Sequence, residues 1–180
     1  MPAPEASRTP VAAAPATARS PVAPATGRPL LLVDVDGVLS LFGPEVDRAR
    51  CTPALVEGIP HFLSRSAAVL LAGLAARYEC VWCTGWEDRA DGHLPHLLGL
   101  PAGWPHVAFS DRPEDAAHWK LRAIDAYAGP YRRTAWVDDA HDECCHAWAA
   151  ERPGPTLLVT TEPAVGLTRE QAAQLEAWAA

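Results

Sequence analysis

From Pro29 to Thr161 the chain alternates short apolar runs with longer stretches of helical periodicity. Five runs read as strands: Leu30–Val35, Cys80–Thr84, His106–Phe109, Thr134–Asp138 and Thr156–Thr160. Leu30-Leu31-Leu32-Val33 is apolar at every position, the pattern of a strand buried on both faces of a parallel sheet. Ser64–Tyr78 places Val69, Leu70, Leu71, Leu74 and Ala75 at helical spacing. Pro113–Ala128 predicts a second helix, with Pro113 in its first turn and Gly129-Pro130 at its end. Asp139–Glu151 predicts a third, closed by Pro153-Gly154-Pro155. A last helix opens on the capping-box pattern Thr168-Arg169-Glu170-Gln171 and buries Leu175 and Trp178. Glu87–Gly103, rich in Gly, Pro and His, reads as loop with one short helix. Strands alternating with helices imply right-handed crossovers. The expected fold is therefore α/β: a three-layer α/β/α, Rossmann-like parallel sheet of about five strands.

Composition narrows the picture. Residues 1–28 are almost entirely Ala, Pro, Thr, Ser and Arg, with Val11 and Val22 as the only larger apolar side chains beyond Met1. Such a segment cannot bury enough surface to offset its ordering entropy, so it reads as a disordered tail. It lacks the apolar block of a secretory signal. Residues 29–180 fit one domain with one core. No apolar run is long enough to span a membrane. The formal net charge is −7, and setting aside the tail's three arginines and Glu5 leaves the remainder more acidic still. That balance disfavours broad nucleic-acid binding, which rests on phosphate neutralisation. Local basic groups remain at Arg48 and Arg50, and at Arg132-Arg133. Five cysteines without a secretory signal favour reduced thiols and a cytoplasmic setting. Cys80 and Cys83 form a C-x-x-C on a strand, where residues three apart face opposite ways. That makes a shared metal or a disulfide unfavourable. Cys144-Cys145 fall in a helix and read as packing or solvent-facing thiols.

Chemistry gathers where the strands end. Asp34 and Asp36 follow the first, Thr84-Gly85-Trp86 the second and Asp138-Asp139 the fourth, with Lys120 near the start of the helix before it. Open α/β sheets bind ligands in the crevice beyond these carboxyl ends. Carboxylates there need a partner, and a cation supplies one. Singly, each feature has an ordinary explanation: a turn stabilised by Asp side chains, a packed Thr, a solvated Lys, an Asp capping a helix. Trp86 reads first as packing and second as a ring for stacking on a substrate. His141 and Asp142 read as helix positions within reach of a metal's outer surroundings. Glu143, Cys144 and His146 are not counted as ligands.

Together these residues resemble the haloacid dehalogenase-like superfamily, in its Asp-based phosphatase branch. Asp34-Val35-Asp36-Gly37-Val38 matches the first motif, Cys83-Thr84-Gly85 the second, Lys120 the third and Trp136-Val137-Asp138-Asp139 the fourth. The resemblance implies that Asp34 is the nucleophile and Asp36 the acid/base group. It implies that Thr84, Gly85 and backbone N–H groups hold the phosphoryl oxygens while Lys120 neutralises their charge. The implied cofactor is Mg²⁺, held by Asp34, the Asp36 carbonyl and Asp139 or Asp138. Asp139 is the first choice for the direct ligand, leaving Asp138 to orient Lys120.

Neither Leu41–Arg65 nor the 35 residues between Thr84 and Lys120 can hold a cap domain. A capless site suits a large phosphorylated substrate. Trp82-Cys83-Thr84-Gly85-Trp86-Glu87-Asp88, with Trp104-Pro105-His106 and His118-Trp119-Lys120-Leu121, also resembles a bacterial subgroup related to domains of multidomain RNA-repair proteins. That points to a nucleotide or polynucleotide end as substrate. A phosphotransferase of the same fold, or a non-catalytic phosphate- or protein-binding module, are the alternative classes.

Overall fold

The all-apolar run becomes β1 (Leu30–Val33), and every one of its side chains is buried. The computed structural model describes residues 27–109 and 118–180; the expected tail up to Thr26 and residues 113–117 of the expected second helix lie outside them. β1 pairs in parallel with β5 (Glu79–Trp82) and β6 (Thr134–Asp138), and β6 pairs in parallel with β7 (Thr156–Thr160). The order is β5-β1-β6-β7.

Strand alternation splits the core in two. Leu30 and Leu32 pack with Val81, Trp136 and Ile124 of α3 (Leu121–Ala128), and with Cys145 of α4 (Glu143–Glu151). Leu31 and Val33 pack on the other side with Leu71, Leu94 and Leu175. Those three come from α1 (Arg65–Leu74), α2 (Asp88–Leu98) and α5 (Arg169–Ala179). The parallel four-strand sheet is therefore covered by helices on both faces, as a Rossmann-like architecture requires. Cys80 lies in one core and Cys83 in the other, so the C-x-x-C thiols are separated by the sheet. Among the described residues no helix is long and apolar enough to cross a membrane.

Four departures from the sequence reading have local causes. The third expected strand, His106–Phe109, reduces to one bridge between Trp82 and His106. Pro105 can accept from Trp82 N at 2.9 Å but has no N–H to extend a ladder. The stretch from Ser40 to Ser64, for which the apolar pattern predicts no strand, holds a three-stranded antiparallel sheet. Its strands are β2 (Ser40–Leu41), β3 (Cys51–Val56) and β4 (Ile59–Ser64), in the order β2-β4-β3. Its hairpin turns on Glu57-Gly58, both at positive φ (50° and 83°), the requirement of a tight two-residue turn. Pro53 obscures the signal, yet sits on the edge strand β3, where a missing N–H is tolerated.

The third departure is α2, an 11-residue helix through Gly92 and Pro95. Ala90 and Leu94 bury its inner face, and Asp91 accepts from the N–H groups of Gly103 and Trp104 at 2.9 Å, pinning the loop that follows. Last, α4 starts at Glu143 because Asp142 caps it, accepting from Cys145 N at 2.9 Å. Asp139 to His141 thereby stay in the loop at the sheet edge. The capping box at Thr168 forms, with both reciprocal bonds present.

Candidate active site

The sheet delivers its acidic residues to one edge. Asp34 follows β1 directly, and its N–H donates to Val137 O at 3.0 Å, which continues the pairing with β6. Asp34 Oδ1 accepts from Val35 N at 2.8 Å. Asp34 Oδ2 lies 3.0 Å from Lys120 Nζ. Lys120, at the N-terminal end of α3, is 3% exposed and donates to Asp138 Oδ2 at 2.6 Å. Asp138 is fully buried, and that same oxygen accepts from Trp136 Nε1 at 3.0 Å while Oδ1 accepts from Ala140 N at 3.0 Å. Both Asp138 oxygens are thus engaged in fixing Lys120 and the loop.

Carboxylate oxygens of Asp34, Asp138 and Asp139 lie within 4.8 Å of one another. One ammonium faces three carboxylates, two of them buried and the third partly exposed. Burial pushes the Asp34 carboxyl up to about 7, against the pull of Lys120. Asp139 is also raised, by burial first and by Asp138 second. Burial alone would lower Lys120, but Asp34 and Asp138 outweigh it and hold the ammonium charged. Three carboxylates offering hard oxygen donors this close together are a set that can hold a divalent cation. The Asp138 oxygens are taken by Lys120, Trp136 and Ala140, whereas those of Asp139 are less committed and so freer to hold a cation.

Gly37 forms the turn after the second carboxylate, with φ of 73°. A methyl group there would fall 2.6 Å from Asp139 Cβ, so only glycine leaves space for that side chain. Thr161 Oγ1 donates to Gly37 O at 2.8 Å, and Gly37 N donates to Ser40 O at 2.8 Å, locking the turn.

Asp36 stands apart from the three-carboxylate group. Its side chain is 48% exposed against 9% for Asp34, so two carboxylates one residue apart occupy different media. Trp86 Nε1 donates to Asp36 Oδ2 at 2.9 Å. His61 Nδ1 lies 4.0 Å from Asp36 Oδ1, shares a hydrogen bond with Ser40 Oγ at 2.9 Å, and sets its ring edge-on to Trp86. Trp86 is buried and its N–H is taken, so its place is to hold Asp36 rather than to offer an open face for stacking. Thr84, 1% exposed, sits beyond β5, with its hydroxyl 3.4 Å from the N–H of Trp86. Gly85 is partly exposed beside it, and its carbonyl accepts from Arg89, which also pairs with Glu57 on the hairpin tip at 2.7 Å.

His141 sits edge-on to Trp136 and shares a hydrogen bond with Thr160 Oγ1 at 2.9 Å. Its burial lowers the imidazole to about 4, keeping it neutral. Asp142 serves as the α4 cap. The residue that sequence reasoning missed is His61. It lies on a strand that itself went unrecognised, so no local signal tied it to Asp36.

No family model matches the chain. Over 112 residues, 58% of the chain, it is 32% identical to a protein named tRNA dimethylallyltransferase from Kineococcus radiotolerans. The chain spans about a third (35%) of that relative's length.

Proposed function

We propose that this chain is a Mg²⁺-dependent phosphomonoester hydrolase of the haloacid dehalogenase-like type, working through an aspartyl phosphate on Asp34. One observation carries the reading: Lys120 Nζ lies between Asp34 and Asp138, 3.0 and 2.6 Å away, beside a third carboxylate at the sheet edge. A structural ion pair would not need the extra carboxylate or a threonine just past the paired strand β5, whereas phosphoryl transfer uses both.

Bound Mg²⁺ would supply positive charge to the phosphoryl oxygens and keep Asp34 ionised, held by Asp34, Asp139 and the Asp36 carbonyl. An Asp34 oxygen attacks phosphorus, forming the acyl phosphate as the bond to the leaving oxygen breaks. Asp36 gives that oxygen its proton, then takes one from the water that attacks phosphorus and releases Asp34. Its half-exposed setting beside the buried nucleophile suits this traffic. Lys120 and the Thr84 hydroxyl neutralise and orient the oxygens during both transfers. The substrate we favour is a nucleotide or polynucleotide end, from the resemblance to RNA-repair domains and the tRNA in the relative's name. Five unpaired cysteines suit a reducing compartment such as the cytoplasm.

Phosphate release from p-nitrophenyl phosphate should require Mg²⁺ and vanish in Asp34→Asn; turnover persisting in that variant would remove Asp34 from the mechanism. Trp86→Phe should keep the ring's packing but lose the N–H held to Asp36. We expect kcat to fall about tenfold, as one positioning hydrogen bond to a catalytic group implies. The acid/base limb of the pH profile should also move, with the melting temperature nearly unchanged. An unaltered profile would show that the indole only packs.

A further inference from the structure

A cavity of about 400 Å³ opens beside Asp36, between the β2–β3 connection and β4, and no step of the phosphoryl chemistry uses it. Phe42, Phe62, Pro60 and Arg48 line it with Asp36 and His61. Arg48 sets its guanidinium over the Phe62 ring at 4.8 Å, and Phe42 is 49% exposed. Among the described residues no carboxylate lies within ion-pair distance of Arg48, although the chain is acidic overall.

The geometry points to this cavity as the seat of the leaving group's nucleoside, the substrate being a phosphomonoester carried by a nucleoside, free or at a strand end. This inference rests on the hydrolase reading above. Asp36 protonates the departing oxygen, so whatever that oxygen carries must lie on the Asp36 side of the phosphorus, and the cavity begins there. Its size fits one monomer unit rather than a protein surface. Phe42 and Phe62 give it aromatic rings, the kind of surface on which a base of any identity stacks. The Arg48 guanidinium carbon lies 4.8 Å from the Phe62 ring centroid, close enough to continue a stack, and its charge draws a polyanion. A bare sugar phosphate would leave those ring faces uncovered.

The test compares kcat/KM for a nucleoside monophosphate, a phosphorylated oligonucleotide and ribose 5-phosphate, which keeps sugar and phosphate but lacks the base. The base-bearing substrates should exceed ribose 5-phosphate by about tenfold or more, the range of one base–aromatic stack. Phe42→Ala and Arg48→Ala, both at exposed positions, should collapse that ratio toward one, while Val69→Ser, exposed on α1, leaves it intact. The oligonucleotide outpacing the monophosphate would identify the strand end as the source, and the reverse order the free nucleotide; either supports the cavity. Equal turnover with and without the base, or a preference that survives both alanine variants, overturns it. Should no substrate release phosphate, the hydrolase reading fails on its own. Calorimetric titration of Asp34→Asn with the nucleoside monophosphate and with ribose 5-phosphate then still decides the cavity: tighter binding of the nucleotide supports it, and equal binding rejects it.

Discussion

Asp34→Asn is expected to melt several degrees higher than the wild type at pH 8 without Mg²⁺, while losing all phosphate release. The cause is the position of the carboxylate, 6% exposed and within a group of three. Burial raises its pKa from 3.8 to about 7. A carboxyl whose folded pKa exceeds the unfolded one binds its proton more tightly when folded. Its contribution is fully present below about pH 4 and is lost as the pH rises through about 7. At pH 8 the ionised group therefore costs roughly 2–4 kcal/mol, allowing for its coupling to Lys120. Asparagine is neutral at every pH and keeps an acceptor for Val35 N, though it gives up the charge pairing with Lys120. Lys120 retains Asp138 at 2.6 Å, so it is not stranded. A net gain of about 1–3 kcal/mol corresponds to some 3–8 °C in a domain of this size. Mg²⁺ should reverse the order, because binding stabilises only the state that holds it. Thermal melts at pH 4.5 and 8, with and without Mg²⁺, check all four corners. A variant less stable than wild type at pH 8 without metal would mean that Lys120 already compensates the carboxylate. The case for a cation would then weaken.

Such a site is legible in sequence where each member sits at the end of its own strand. Asp34, Thr84 and Asp138-Asp139 follow apolar runs, and parallel pairing at the register Leu30↔Glu79 and Leu30↔Thr134 brings those ends level. Lys120 is less local: nothing in its helix tells that Nζ reaches both carboxylates. Asp36 shows the limit. Its hydrogen-bond partner Trp86 is 50 residues away, and its neighbour His61 lies on a hairpin that Pro53 disguises. An apolar pattern reports which face is buried, not which polar group a buried indole will meet. Likewise α2 hides behind Gly92 and Pro95, because its stability comes from burying Ala90 and Leu94 rather than from propensity. The sequence motifs therefore locate Asp34 and its charged neighbours, while the surroundings of Asp36 emerge only in three dimensions.

Gly37→Ala is expected to cost about 2–4 kcal/mol and to suppress Mg²⁺ binding, two losses with separable origins. The first is conformational: φ of 73° lies in the left-handed region, where a Cβ costs roughly 1–2 kcal/mol. The second is steric. The new methyl group would meet Asp139 at its Cβ and carboxylate, 2.6 Å away, too close for either side to stay in place. The turn cannot yield easily, because Ser40 O, Thr161 Oγ1 and the Asp34 N–H bond to Val137 hold it from three directions. Asp139 must give way instead, and with it the carboxylate proposed above as the direct metal ligand. Gly58→Ala separates the two effects. Gly58 has φ of 83° but nothing within 4 Å of a methyl group, so its variant carries the conformational cost alone. Both variants should melt lower than wild type, Gly37→Ala by the larger margin. Only Gly58→Ala should retain the Mg²⁺-induced rise in melting temperature. If Gly37→Ala keeps that rise undiminished, Asp139 does not hold the metal, and the ligand must be sought at Asp138, whose oxygens would first have to release Lys120 or the Ala140 N–H.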